Sequence, residues 1–147
     1  PWSFLVARRD DEAEFDRMLN CLLESNRVWA QGAGVVILIV VARLFTRNGN
    51  SNRVAEHDLG LAVGNLCCQA TELGLAVHQM AGVDLAKIRQ TYNIPPNYDP
   101  VSGIAIGYAS APETAPNPQL GDRDRAPRVR KPLEQFVFSG AWGTGAF

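Results

Sequence analysis

Two short stretches carry residue types that could hold a ligand. The first is Met80-Ala81-Gly82-Val83-Asp84, a glycine turn between an expected strand and an expected helix. Backbone N–H groups at such a junction have no helical partner and are open to an acceptor. Taken locally the stretch reads as a tight turn and nothing more, because it matches no phosphate-binding loop. The second is the basic run Arg128, Arg130 and Lys131. Arg128 and Arg130 are two apart, so in extended backbone both point the same way and could grip one phosphate. Asp122 and Asp124 interleave with Arg123 and Arg125 just upstream. The local charges therefore favour a solvated, balanced loop, in which exposed pairs contribute little.

Other chemistries lack their residues. His57 and His78 have no carboxylate at ligand spacing apart from Asp58, so no metal site is expected. No G-x-S-x-G elbow is present for a serine hydrolase, and no G-x-G-x-x-G follows a strand. The charged GDRDR segment has no aromatic interleaving, and the net charge is −1, so neither nucleic acid nor a membrane surface is an expected partner. The three cysteines, Cys21, Cys67 and Cys68, show neither a disulfide framework nor ligand spacing. They read as small buried hydrophobes in a reducing, cytoplasmic setting.

The elements that must position these residues follow from periodicity. A chain of 147 residues, 46% hydrophobic, is long enough for one domain with a real core. It opens on Pro1 without an initiator Met and runs straight into strand-like WSFLVAR, as expected of a processed or amino-terminally truncated chain. Asp11 with Glu14 resembles a capping box, and Phe15, Met18, Leu19, Leu22 and Leu23 recur at helical spacing, predicting a helix over 11–24. The unbroken apolar run Val35 to Ala42, too short to span a bilayer, predicts a strand over 35–44 covered on both faces. A long helix is expected from about Arg53 to Gly74, then a strand over 75–80, a helix from Asp84 to Tyr92, and a strand over 101–109. The long helix is so apolar that sheet, other helices or a second subunit must sheathe it. Its Gly60 and Gly64, four apart, cost roughly 1 kcal/mol each against alanine and suit close approach of a neighbour. The Pro-rich stretch 110–127 predicts a mobile linker, and 128–147 a carboxy-terminal arm with a strand-like run at Phe136 to Phe138. Strands alternating with helices imply a layered α+β arrangement, a mixed sheet flanked by helices.

Taken together and in order, HDLGLAVGNLCCQATELGLAVHQMAGVD, TYNIP, GIAIGYA and RVRKPLEQFVFSGAWG resemble the FMN-dependent nitroreductase family. PWSFLVAR resembles the family's segment just after its amino-terminal flavin loop. The resemblance implies an α+β fold and a homodimer built about the long central helix, with FMN at the interface. It further implies hydride transfer from NADH or NADPH through the flavin to nitroaromatics, quinones or similar small acceptors. The flavin would carry the chemistry, so no catalytic side chain is expected. Residue by residue, the family's backbone donor to flavin N5 matches Ala81, with Gly82 beside it. Gln79 and Met80 would lie along the ring, Asn26 would contact it, and Arg128 and Arg130 would hold the phosphate. The family's amino-terminal helix and flavin loop have no counterpart in the sequence, and the segment 46–53 is short where some members carry a substrate-covering excursion. Two alternatives accompany this reading: a specialised dehalogenase-like or flavin-consuming enzyme of the same fold, and a flavin-free scaffold.

Overall fold

The computed structural model describes residues 1–147. Its order is β1 (Trp2–Arg8), α1 (Glu12–Leu19), α2 (Glu24–Ala30), β2 (Val35–Ala42), α3 (Ala55–Glu72), β3 (Ala76–Met80), α4 (Leu85–Thr91), β4 (Tyr98–Gly107) and α5 (Pro118–Arg125). Two 3₁₀ turns, Pro112–Thr114 and Leu133–Gln135, complete it. Residues 1–111 and 112–147 form two separate compact units.

In the first unit the four strands lie in the order β1-β2-β4-β3. All pairs are antiparallel, where a mixed sheet was expected. The reason lies in the last strand: β2 and β3 run the same way, joined by α3, and β4 enters between them in the opposite sense. The α+β class and the flanking helices are as expected. β2 is central and almost wholly buried, which explains why its sequence does not alternate. β4 begins at Tyr98, three residues earlier than predicted, and runs through Pro100. Pro is admitted there because β3 pairs only with residues 103–107, leaving that part of β4 an edge, and because the β2 register shifts between Ile39 and Val40.

Each face of the sheet carries its own core. On one side Ala7, Val36, Leu38, Met80 and Ala105 pack with Phe15, Met18 and Leu19 of α1, Ala30 of α2 and Ile88 of α4. On the other, Ile37, Ile39, Val41 and Ile104 pack with Ala55, Leu59 and Val63 of α3. The helix ends follow local chemistry. Asp11 caps α1 by accepting from the Glu14 N–H at 3.2 Å, and Asp84 caps α4 by accepting from the Lys87 N–H at 2.9 Å. α1 ends at Leu19, not at 24: a short connection over 20–23 follows, and α2 starts at Glu24 as a separate helix. α3 closes on Gly74 at φ +74°, with Leu75 N–H to Ala70 O and Gly74 N–H to Thr71 O, a paired arrangement that uses two orphan carbonyls.

α3 buries only Ala55, Leu59, Val63 and Ala70, so most of its apolar surface is not sheathed within the chain. A Cβ added at Gly60 or Gly64 would meet nothing within 4 Å, so a neighbour at either glycine would have to come from outside the chain. One expectation fails here: of the cysteines only Cys21 is buried; Cys67 is half-buried and Cys68 exposed, because adjacent helical residues face different directions and only one face of α3 meets the sheet.

In the second unit the Pro-rich stretch carries more local structure than its composition suggests. Asn117 caps α5 by accepting from the Leu120 N–H, Pro118 opens the helix, and Arg125 pairs with both Asp122 and Glu113. Gly121 is required by close approach: a Cβ there would fall 2.6 Å from the Pro112 carbonyl. Phe136 to Phe138 forms no strand; Phe138 makes a single bridge to Gly145 and stacks on Trp142 at 5.0 Å.

Candidate functional site

The turn after β3 is built from both sides. Upstream, Met80 is 4% exposed and anchors the strand in the core, with Gly103 opposite it; a Cβ at Gly103 would fall 3.3 Å from Met80 Cγ. Its side chain therefore faces the core, and only its backbone is left to serve a ligand. Downstream, Val83 is buried and Asp84 caps α4. Between them, Val83 N–H donates to Ala81 O at 2.8 Å, a tight three-residue turn.

A second segment clamps this turn. Leu22 bridges to Val83, and Asp84 N–H donates to Cys21 O at 2.9 Å. Gly82 O accepts twice, from Leu23 N–H at 3.0 Å and from Asn26 Nδ2 at 3.0 Å. The Leu23 bond ties the amino end of α2, which has no side-chain cap, to the turn. Gly82 must be glycine for space, since a Cβ would come 2.4 Å from Asn26 Nδ2.

The N–H groups of Ala81 and Gly82 donate to no protein acceptor. Ala81 is exposed and Gly82 half-buried, so both groups can be reached from outside. Two neighbouring donors held side by side in a clamped turn suit a flat, electron-rich acceptor edge. Asn26, half-buried, is brought to the same place, but its amide is spent on holding Gly82. Gln79, exposed on the α3 side of the sheet, reaches Cys67 Sγ with its Nε2 at 3.4 Å.

The basic run of the second unit is not the balanced loop its sequence suggested. Arg125 takes Asp122 and Glu113, and no carboxylate pairs with Arg128 or Arg130. Arg130 Nη1 donates only to the carbonyl of Val129, and both arginines are exposed. Two unpaired guanidinium groups at this spacing are free for an anionic ligand.

Two open clefts lie elsewhere. One between α1 and α2 is lined by Asp16, Asn20, Glu24 and Arg27, the other beside β1 by Arg8, Asp10, Asp11 and Glu14. Both are polar, and their arginines are already paired with Glu24 and Asp10. Sequence reasoning missed Leu23, which acts through its backbone and leaves no signal in side-chain type.

The nitroreductase family model matches residues 1–108. A crystal structure of an FMN-containing oxidoreductase superposes with a TM-score of 0.89 at 28% identity, over 99% of this chain and 73% of its own. A nitroreductase-family protein of Clostridium difficile 630 shares the fold at 21% identity and a TM-score of 0.67, over 96% of this chain and 74% of its own. The 15.4 kDa protein in the ask 5′ region of Mycolicibacterium smegmatis is 30% identical over 149 residues, 95% of this chain and 97% of that one. With the family model matched over residues 1–108, the chain belongs to the nitroreductase family.

Proposed function

We propose that this flavin oxidoreductase binds FMN, takes hydride from NADH or NADPH, and passes reducing equivalents to nitroaromatic, quinone or similar small acceptors. The observation that supports this most is the pair of unengaged N–H groups at Ala81 and Gly82 in a turn clamped by Leu23 and Asn26. Their chemistry fits the N5 edge of an oxidised isoalloxazine, an acceptor nitrogen that takes up the hydride. Bound FMN supplies reversible two-electron chemistry; the protein holds the ring, excludes competing geometries and tunes it. Ala81 and Gly82 donate to the ring, Met80 contributes backbone, Gln79 and Asn26 border it, and Arg128 and Arg130 hold the phosphate. The exposed face of α3, with Gly60, Leu61 and Gly64, is the proposed contact of a homodimer. No helix is long and apolar enough to cross a membrane, all three cysteines are free, and a cytoplasmic setting is proposed with the function.

Purified protein is expected to be yellow and to bleach with dithionite. Replacing Arg128 and Arg130 together with Ala should weaken FMN in a fluorescence titration, each charge-assisted bond being worth roughly 1.5–3 kcal/mol. A chain that retains no flavin at saturating FMN would sink the reading; unchanged affinity in the double variant would move the phosphate elsewhere.

A further inference from the structure

The face of α2 that clamps the turn makes a second contact. Asn26 and Trp29 are three apart and so share one side of the helix. Asn26 reaches Gly82. Trp29 reaches β3 three residues before the free donors: its indole lies 4.5 Å, centroid to centroid, from the His78 imidazole, the planes inclined at 54°. His78 and Met80 are two apart in the strand, so both side chains leave the sheet on the α2 side. Met80 goes into the core, but His78 stays exposed at the sheet's edge.

Nothing in the fold needs an imidazole at this position. His78 makes no hydrogen bond to protein and no ion pair; its ring packs against Trp29, and both ring nitrogens are free. At about 3.3 Å per residue of extended chain, the three residues from His78 to Ala81 span roughly 10 Å. On the proposed flavin site, an acceptor beside Ala81 and Gly82 would have this ring on the same strand, three residues from the donors. Neutral imidazole and imidazolium interchange readily in water, which makes histidine the side chain most often used to pass a proton.

We propose that His78, braced by Trp29, touches an oxygen of the bound acceptor and donates the proton that completes its reduction. This rests on the FMN reading above. For a quinone, the hydride equivalent from NAD(P)H and one proton from His78 convert the two carbonyls to two hydroxyls. For a nitro group, the same hydride and proton break one N–O bond, giving a nitroso group and water. In both cases the neutral imidazole recovers its proton from solvent.

The test compares full-length holoenzyme with its H78Q form, using benzoquinone and ferricyanide as acceptors. Ferricyanide accepts electrons without a proton. H78Q should lose about a hundredfold or more in kcat with benzoquinone, while ferricyanide turnover and flavin absorbance stay close to wild type. The second readout needs no turnover. The chain has two histidines, so in an H57Q background the remaining imidazole proton resonance belongs to His78. It should shift saturably when benzoate, isosteric with nitrobenzene and not reducible, is added to the oxidised protein. Equal benzoquinone turnover by H78Q, loss of both acceptors together, or an unmoved resonance would each overturn the assignment. A protein that binds no flavin fails the earlier reading as well. One that binds flavin and reduces ferricyanide, yet is indifferent to H78Q with benzoquinone, fails this inference alone.

Discussion

At the scale of single residues, the candidate site depends on one side chain fitting where another is missing. Asn26 occupies the volume that a Cβ at Gly82 would claim, and it uses that position to hold the Gly82 carbonyl at 3.0 Å. G82A is thus expected to displace Asn26 and cost about 1 kcal/mol, the worth of the hydrogen bond it breaks. In an N26A background the same change should cost much less, because the obstructing amide is gone and the Leu23 bond to Gly82 O remains. Thermal unfolding of the four proteins in this cycle measures the coupling. Additive shifts would show that Asn26 and Gly82 act independently. Gly82 has no positive φ, so backbone strain plays no part in the expected loss.

Between elements, the ends of four of them are tied by one carboxylate. Asp99 at the start of β4 accepts from Arg43 Nε at 2.6 Å, just beyond β2, and from Arg89 Nη2 at 2.7 Å on α4; Arg43 in turn pairs with Glu56 of α3 at 2.9 Å. The hydrogen bond from Arg43, with the charges of Arg43 and Arg89 behind it, outweighs burial and holds the Asp99 carboxyl below its ordinary range. Stability from this group is present above the unfolded carboxyl value, near pH 4. It is lost as pH falls through the lower folded value. D99N should therefore be less stable than the parent at neutral pH, with the gap narrowing toward acid. Urea midpoints at neutral and acid pH test this, and a constant gap would reject it. None of this network was legible in the sequence, since it joins residues brought together only by the sheet. What could be read were local devices: the Asp11 and Asp84 caps, the unalternating β2, and the glycine that ends α3. The break between α1 and α2 was hidden because Leu22 and Leu23 keep the helical spacing beyond α1, although Leu22 is bound to Val83 and Leu23 to Gly82. Family resemblance singled out Ala81 and Gly82, whose local sequence argued only for a turn. In the structure both N–H groups lack a protein acceptor, beside a Gly82 carbonyl that the clamp holds.

For the whole molecule, the unsheathed side of α3 is the largest departure from what its composition demands. Leu61 is 58% exposed, and Gly60 and Gly64 beside it leave bare backbone facing outward. The homodimer proposed above would set a second copy of the chain on this face, related by a twofold axis so that each glycine pair would meet its equivalent. L61E places a charge on that face without touching either core. It should leave the circular dichroism spectrum intact while the sedimenting mass falls from dimer to monomer. A monomeric parent protein would remove this assembly, and a dimer unaffected by L61E would place the contact on another surface.

The clamp on Gly82 also has a kinetic meaning. α2 is seven residues long and has no side chain to cap it; the first bond at its amino end comes from a carbonyl far along the chain, and the Asn26 bond to the same carbonyl spans 56 residues of sequence. A helix this short does not hold itself together. It has to wait for β3 to find its place in the sheet, and such distant contacts form late because the loop between them must close first. By the same reasoning the α2–turn contact is among the first to open from the native state. Amide exchange at Leu23 and along α2 should outpace that of β2, so the ligand-facing turn belongs to the part of the molecule that breathes while its central strand stays shut.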